Sequence, residues 1–231
     1  NSGSVAEFTL GLILSLAKQL PQSRDGLRKE GWSIRPKISA FDLEGKTLGV
    51  LGMGRIGTAV ARKASYGFGM KVLGYRRNLP GDICADYGIL TSDLDKVIRH
   101  ADFLSIHLPY TKDTFHLVSR EKLELMKPDA YLLNLGRGEV VDQDALRDLL
   151  LSNRLAGAAL DVFEGEIPDQ NDPMLHMEQV IATPHVAGLS KQAMERMSYQ
   201  AALGITEVLE GRPVTYPINH PEKYANTFFV A

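Results

Sequence analysis

The stretch that most constrains the fold is Leu48-Gly49-Val50-Leu51 running directly into Gly52-Met53-Gly54-Arg55-Ile56-Gly57. An apolar run of strand length meets three glycines at Gly-x-Gly-x-x-Gly spacing and then a helical pattern. In that setting the first glycine supplies a tight turn, the second lets the backbone approach a ligand, and the third lets the helix pack close to the strand. The helix N-terminus then offers unpaired N–H groups and its positive dipole end to an anion. The glycine spacing alone is weak, because a turn with no ligand satisfies it equally. Its context predicts a pyrophosphate-binding turn built from Gly52, Gly54, Arg55, Ile56 and Gly57, in which Arg55 adds a charge-assisted contact.

The rest of the chain repeats the same alternation. Short apolar runs occur at Thr47 to Leu51, Val72 to Tyr75, Phe103 to Leu108, Ala130 to Leu135, Ala156 to Val162 and Val180 to Ala182. Amphipathic segments near 57–68, 93–100, 119–126 and 142–152 separate them. Strands alternating with helices predict an α/β fold: a doubly wound parallel sheet, Rossmann-like, with helices on both faces. Before it, Val5, Phe8, Leu12 and Leu16 predict a helix over 5–20, and the polar stretch up to Leu43 reads as a loop. After it, Lys191 to Leu209 predicts a long helix stopped by Gly211 and Pro213. The expected division is a dinucleotide-binding domain over 1–190 and a C-terminal helix and tail over 191–231.

Bulk properties remove several classes. A formal net charge of −2 with no basic block gives no electrostatic footprint for nucleic acid or an anionic membrane. The longest apolar stretch, Phe8 to Leu20, is interrupted by Thr9, Ser15, Lys18 and Gln19 and falls short of the roughly 20 residues a membrane span needs. A single cysteine, Cys84, excludes an internal disulfide framework and a cysteine-based zinc site, which suits a reducing compartment; cytoplasm is the expectation. No metal site is expected, since the six histidines show no ligand spacing with acidic residues on one helix. The chain opens on Asn1 and enters a helical pattern at once, as a piece of a longer protein would.

About 20 residues past the glycines, a site for NAD usually places an acidic residue against the adenosine ribose. Here that place holds Arg76-Arg77. A guanidinium can pair with the 2′-phosphate of NADP where a carboxylate would repel it, so NAD(P) is the expected cofactor, with NADP favoured. Two arginines at a strand end also fit a plain solvated surface.

Two polar clusters fall where later strands end, at the carboxyl edge that binds ligands in such sheets: Asn134-Leu135-Gly136-Arg137-Gly138 and Thr183-Pro184-His185-Val186-Ala187-Gly188. An arginine between glycines suits a planar carboxylate, and a histidine suits proton transfer near neutral pH. Singly, each fits a surface arginine or a loop histidine equally well. Together with Asp161-Val162-Phe163-Glu164-Gly165-Glu166, the helix start Val5-Ala6-Glu7 and His107-Leu108-Pro109 with Thr111 and Thr114, the chain resembles the D-isomer-specific 2-hydroxyacid dehydrogenases from about Val5 to Asn219.

The resemblance implies an oxidoreductase exchanging a hydride between NAD(P)H and a small 2-oxo acid or D-2-hydroxy acid of the glyoxylate or hydroxypyruvate kind. It implies that Arg137 holds the substrate carboxylate and carbonyl, that His185 exchanges a proton with the substrate oxygen, and that Glu166 hydrogen-bonds His185. Asp161 would hold the nicotinamide carboxamide, and His107, Leu108, Pro109, Thr114, Leu135, Gly136, Ala187 and Gly188 would line the cofactor. The partners it implies are a small-molecule 2-oxo or 2-hydroxy acid and a second copy in a homodimer. Two departures stand out: Arg76 replaces the usual acidic residue, and Glu166-Ile167-Pro168 replaces the usual Glu-Pro, which leaves Glu164 as a competitor for Glu166. The resemblance also implies a substrate-covering lobe ahead of the Val5-Ala6-Glu7 helix. A dinucleotide-sensing, corepressor-like protein on the same scaffold and a dehydrogenase of formate or phosphite remain as alternatives. Short-chain dehydrogenases do not fit, because no tyrosine has a lysine four residues on.

Overall fold

The computed structural model describes residues 1–76, 89–91 and 93–217, with 89–91 described by backbone alone. Arg77 and Cys84 lie outside the described residues. The chain divides into two compact units, Ser2–Gly188 and a second that begins at Leu189.

Among the described residues, the first unit is built on a seven-stranded sheet: β1 Thr47–Leu51, β2 Lys71–Tyr75, β3 Ile89–Thr91, β4 Phe103–Ile106, β5 Tyr131–Asn134, β6 Gly157–Leu160 and β7 Val180–Ala182. Its order is β3-β2-β1-β4-β5-β6-β7, and every pairing is parallel. Chain direction across the sheet therefore reverses between β1 and β4, which opens a crevice beyond their carboxyl ends. The doubly wound expectation holds. β3 was not foreseen, and the observed β4, β5 and β6 end before the apolar runs do, so that residues such as His107 and Leu108 leave the sheet as edge loops.

Helices α1 Ser2–Ala17, α2 Leu20–Glu30, α3 Arg55–Phe68, α4 Leu94–His100, α5 Arg120–Leu123 and α6 Gln143–Leu151 accompany the sheet. Adjacent strand residues point to opposite faces, and both faces are dry. Phe103, Leu133 and Ala159 join Val5, Ile13, Leu16, Val60 and Ala64 of α1 and α3 in one core. Leu104, Leu132 and Ala158 join Val97, Ile98, Leu146 and Leu150 of α4 and α6 in the other. The local signals agree with these boundaries. Asp93 and Asp142 accept the N–H groups of Lys96 and Ala145 at 2.9 Å and cap α4 and α6, while Gly69 at φ +62° ends α3.

The segment read as a loop after the first helix is a correction. Gln19 at φ +49° breaks the chain, α2 then runs to Glu30 with a proline in its first turn, and a 3₁₀ helix covers Gly31–Lys37. Gly26 is the only buried residue of α2, because an added Cβ there would lie 2.3 Å from Ile34 Cγ1. A helix that buries one glycine and exposes Leu20 and Leu27 has no apolar stripe to read.

In the second unit, α7 spans Lys191–Leu209, capped by Ser190, whose hydroxyl accepts from Ala193 N at 3.1 Å. Beyond it Gly211 turns the chain at φ +68°.

One ion pair fastens the far side of the sheet. Arg147 on α6 donates from Nε and Nη2 to the two oxygens of buried Asp172, at 3.1 and 2.9 Å, and Asp172 also accepts from Met174 N at 2.9 Å. The Arg147 guanidinium holds the Asp172 carboxyl below its usual range. A depressed folded pKa gives stability that is present above the unfolded value and lost as pH falls through the folded one. Asp172→Asn is therefore expected to cost about 2 kcal/mol at pH 7 and to flatten the loss of stability below about pH 4. Urea unfolding of both proteins across that range measures it.

Candidate active site at the carboxyl edge of the sheet

The turn after β1 is set by contacts that only glycine allows. Gly52 sits at φ +101°, and a Cβ there would lie 2.7 Å from the carbonyl oxygen of His107. A Cβ on Gly57 would lie 2.2 Å from the Gly52 oxygen, so helix α3 starts tight against the turn. Gly54 is different: an added Cβ would meet nothing within 4 Å. Open space above the first N–H groups of α3, walled by two glycines that admit no side chain, fits a dinucleotide pyrophosphate.

Gly52 N and Met53 N both donate to the carbonyl oxygen of Tyr75, at 2.9 and 3.2 Å, which locks the turn to the end of β2. Arg76 follows and is exposed beside this turn. Arg55 is exposed on the first turn of α3, whereas Ile56 packs partly against the core.

The loop after β4 closes on the same turn. His107 Nε2 lies 2.8 Å from Ser105 Oγ, its buried Nδ1 has no partner among the described residues, and burial pushes its pKa down to about 4. The imidazole is therefore neutral at pH 7. Thr114 is buried and works within the loop: its hydroxyl donates to Pro109 O at 2.7 Å and accepts from Thr111 N at 2.7 Å. Leu108 is partly buried, and Pro109 is exposed.

After β5 the backbone packs as closely again. A Cβ on Gly136 would lie 2.6 Å from Leu108 O, and one on Gly138 would lie 2.0 Å from Phe163 C and O. Asn134 clamps the turn between them, accepting from Gly136 N at 3.1 Å and donating to Arg137 O at 3.0 Å. Arg137 stands exposed on this loop, with Nη1 donating to Gly136 O at 2.7 Å. The Leu135 side chain belongs to the core, so only its backbone faces the edge.

Asp161, at the end of β6, organises the His185 loop. Its Oδ1 accepts from Thr183 Oγ1 at 2.6 Å and from Val186 N at 2.9 Å, its Oδ2 accepts from Ala187 N at 3.0 Å, and its carbonyl oxygen accepts from His185 N at 2.9 Å. Sequence reading missed this gripping role; the spacing of one acid against Thr183 and Ala187 carries no local signature. Oδ2 takes one of these bonds and keeps acceptor capacity for a further N–H.

Glu166 at φ +66° and His185 at φ +55° are both exposed, and both line one cavity of about 450 Å³ with Phe163, Leu175, Thr183 and Pro184. Left-handed backbone at a non-glycine residue is uncommon and concentrates at functional sites. No hydrogen bond joins the two side chains among the described residues. Arg137 is not among the residues that line this cavity. The competitor Glu164 is engaged elsewhere, its Oε1 lying 3.2 Å from His116 Nε2.

Residues 10–187 match the family model of the D-isomer specific 2-hydroxyacid dehydrogenase, NAD binding domain. The chain is 38% identical over 222 residues to a D-3-phosphoglycerate dehydrogenase of Methanocaldococcus jannaschii, covering 96% of this chain and 42% of that protein. It is 39% identical over 202 residues to a glyoxylate reductase of Korarchaeum cryptofilum, covering 86% and 60%. The chain thus spans about half the length of these curated relatives. Among solved structures, D-lactate dehydrogenase from Aquifex aeolicus complexed with NAD and lactic acid superimposes with a TM-score of 0.85 at 34% identity, over 91% of this chain and 67% of that one. The fingerprint turn, the three edge loops and these likenesses agree: the chain belongs to the D-isomer specific 2-hydroxyacid dehydrogenase family, of which it holds the NAD-binding domain.

Proposed function

We propose that the chain serves the NAD(P)H-dependent reduction of a small 2-oxo acid, of the glyoxylate or hydroxypyruvate kind, to the D-2-hydroxy acid. The observation that carries this reading is the joint placement of Glu166 and His185 on one cavity, both in left-handed backbone, with Asp161 gripping the His185 loop.

Gly52, Gly54 and Gly57 with Arg55 would hold the pyrophosphate, and Arg76 would face the adenosine ribose, where a guanidinium favours NADP. Arg77 shares that assignment from sequence alone. Loop residues His107 to Thr114 and the backbone of Leu135, Gly136, Ala187 and Gly188 would line the remainder of the cofactor. The dinucleotide, when bound, supplies the hydride. Arg137 binds the substrate carboxylate through its planar guanidinium and so orients the carbonyl carbon. His185 in its protonated form delivers a proton from its imidazole to the carbonyl oxygen. Glu166, once hydrogen-bonded to that imidazole, would fix the orientation of the ring. A homodimer in the cytoplasm is the setting that the family resemblance suggests.

Initial rates of NADPH and NADH oxidation with glyoxylate, hydroxypyruvate and pyruvate test this in the natural full-length protein. His185→Ala is expected to lower kcat roughly 10²- to 10⁴-fold, the usual worth of a positioned acid. Arg137→Ala is expected to raise KM for the acid as well as to lower kcat. Turnover unaffected by either change would overturn the assignment.

A further inference from the structure

We infer that His116 and Glu164 form a positioning pair that ties the cofactor-lining loop to the turn carrying Glu166. The inference rests on the reductase reading, since Glu166 is a working residue only within it.

His116 sits two residues past Thr114, at φ +46°. Its N–H donates to Glu139 O at 2.8 Å, on the loop that carries Arg137. Its imidazole Nε2 reaches across to Glu164 Oε1 at 3.2 Å. One residue thus bridges the loops that follow β4, β5 and β6.

Glu164 is held from both ends. Its backbone N–H donates to Gln143 Oε1 at 2.9 Å, and its carboxylate meets His116. Beyond it the chain turns sharply: Gly165 has φ +77°, Glu166 N donates to Phe163 O at 3.1 Å, and Ile167 N donates to Gly165 O at 2.8 Å. Glu166 and Ile167 are otherwise exposed, Ile167 to 87%. Contacts that fix the direction of Glu166 therefore lie before it in the chain, at Phe163 and Glu164. The His116–Glu164 bond is partly screened from water, at 31% and 37% side-chain exposure, so it holds better than a fully solvated pair.

The loop on the other side is the one stapled by Thr114 to Pro109 and Thr111. Order in the cofactor-lining loop is in this way communicated to the acid that would hold the His185 ring. A pair that acts through Glu166 affects turnover and leaves dinucleotide binding alone.

The test combines hydrogen–deuterium exchange with steady-state kinetics on the natural full-length protein. His116→Asn keeps a residue that tolerates left-handed backbone but is too short to reach Glu164. His116→Gln places a donor near the original Nε2. Expected for His116→Asn and for Glu164→Ala are faster exchange over 163–167, a kcat about five- to tenfold lower, and an unchanged KM for NAD(P)H, as loss of one charge-assisted bond predicts. The double variant should be no worse than either single one, and His116→Gln should restore most of the loss. Unchanged exchange over 163–167, or unchanged kcat in an active protein, overturns the positioning role alone. A wild-type protein that reduces none of the 2-oxo acids overturns the reductase reading and the positioning role with it.

Discussion

Gly138→Ala is expected to destabilise the protein by about 3 kcal/mol or more, lowering the melting temperature by roughly 6 to 12 °C. The added methyl group would lie 2.0 Å from the carbonyl carbon and oxygen of Phe163 and 2.3 Å from Glu164 N. These are backbone atoms, so no side-chain rotation relieves the clash, and the two edge loops must part. Because they carry Arg137 and Glu166, turnover should fall with stability. Gly54→Ala provides the contrast. Its Cβ meets nothing within 4 Å and its φ is −91°, so the cost should stay at about 1 kcal/mol, the difference between glycine and alanine at a helix N-cap. Its effect should appear in dinucleotide affinity. Differential scanning calorimetry of both variants, with dinucleotide titration of Gly54→Ala, measures the two expected effects.

Asp161→Asn is expected to cost about 2 to 3 kcal/mol and to remove most turnover. The native carboxylate accepts three bonds, two on Oδ1 and one on Oδ2. An asparagine amide has one accepting oxygen, so its NH₂ must face a donor at either Ala187 N or the Thr183–Val186 side. Asp161 is only 1% exposed, and water cannot repair the mismatch. The segment it releases carries His185, so kcat should drop even though no reacting atom is changed. Chemical denaturation with parallel initial-rate measurements would show both losses together; a variant as stable and active as wild type would contradict the gripping role.

The sheet was largely legible because parallel strands buried on both faces read as continuous apolar runs, as Leu48 to Leu51 and Phe103 to Ile106 do. The fingerprint glycines were legible for a related reason: a residue type that only a close approach demands marks that approach. Helix α2 was not, since it buries only Gly26 and leaves Leu20 and Leu27 exposed, so no apolar run marks it. β3, Ile89–Thr91, offers only an isoleucine and a leucine ahead of a threonine and did not stand out as an apolar run. Of the candidate residues, Arg137 and His185 were marked by residue type and by their place after a strand, and Glu166 through the family resemblance alone. The supports were not marked. The Asn134 clamp is local to one turn, whereas the grip of Asp161 on residues 183–187 and the His116–Glu164 bond join loops distant in sequence that only the folded sheet edge brings together.

We propose that the Gly52–Gly57 turn receives a nicotinamide dinucleotide and that Arg76 favours its phosphorylated form. Fluorescence titration of this chain with NADPH and with NADH tests it most directly. Saturable binding of both is expected, tighter for NADPH, with Gly54→Ala weakening both and Arg76→Ser removing the preference. A folded protein that saturates with neither dinucleotide would contradict it.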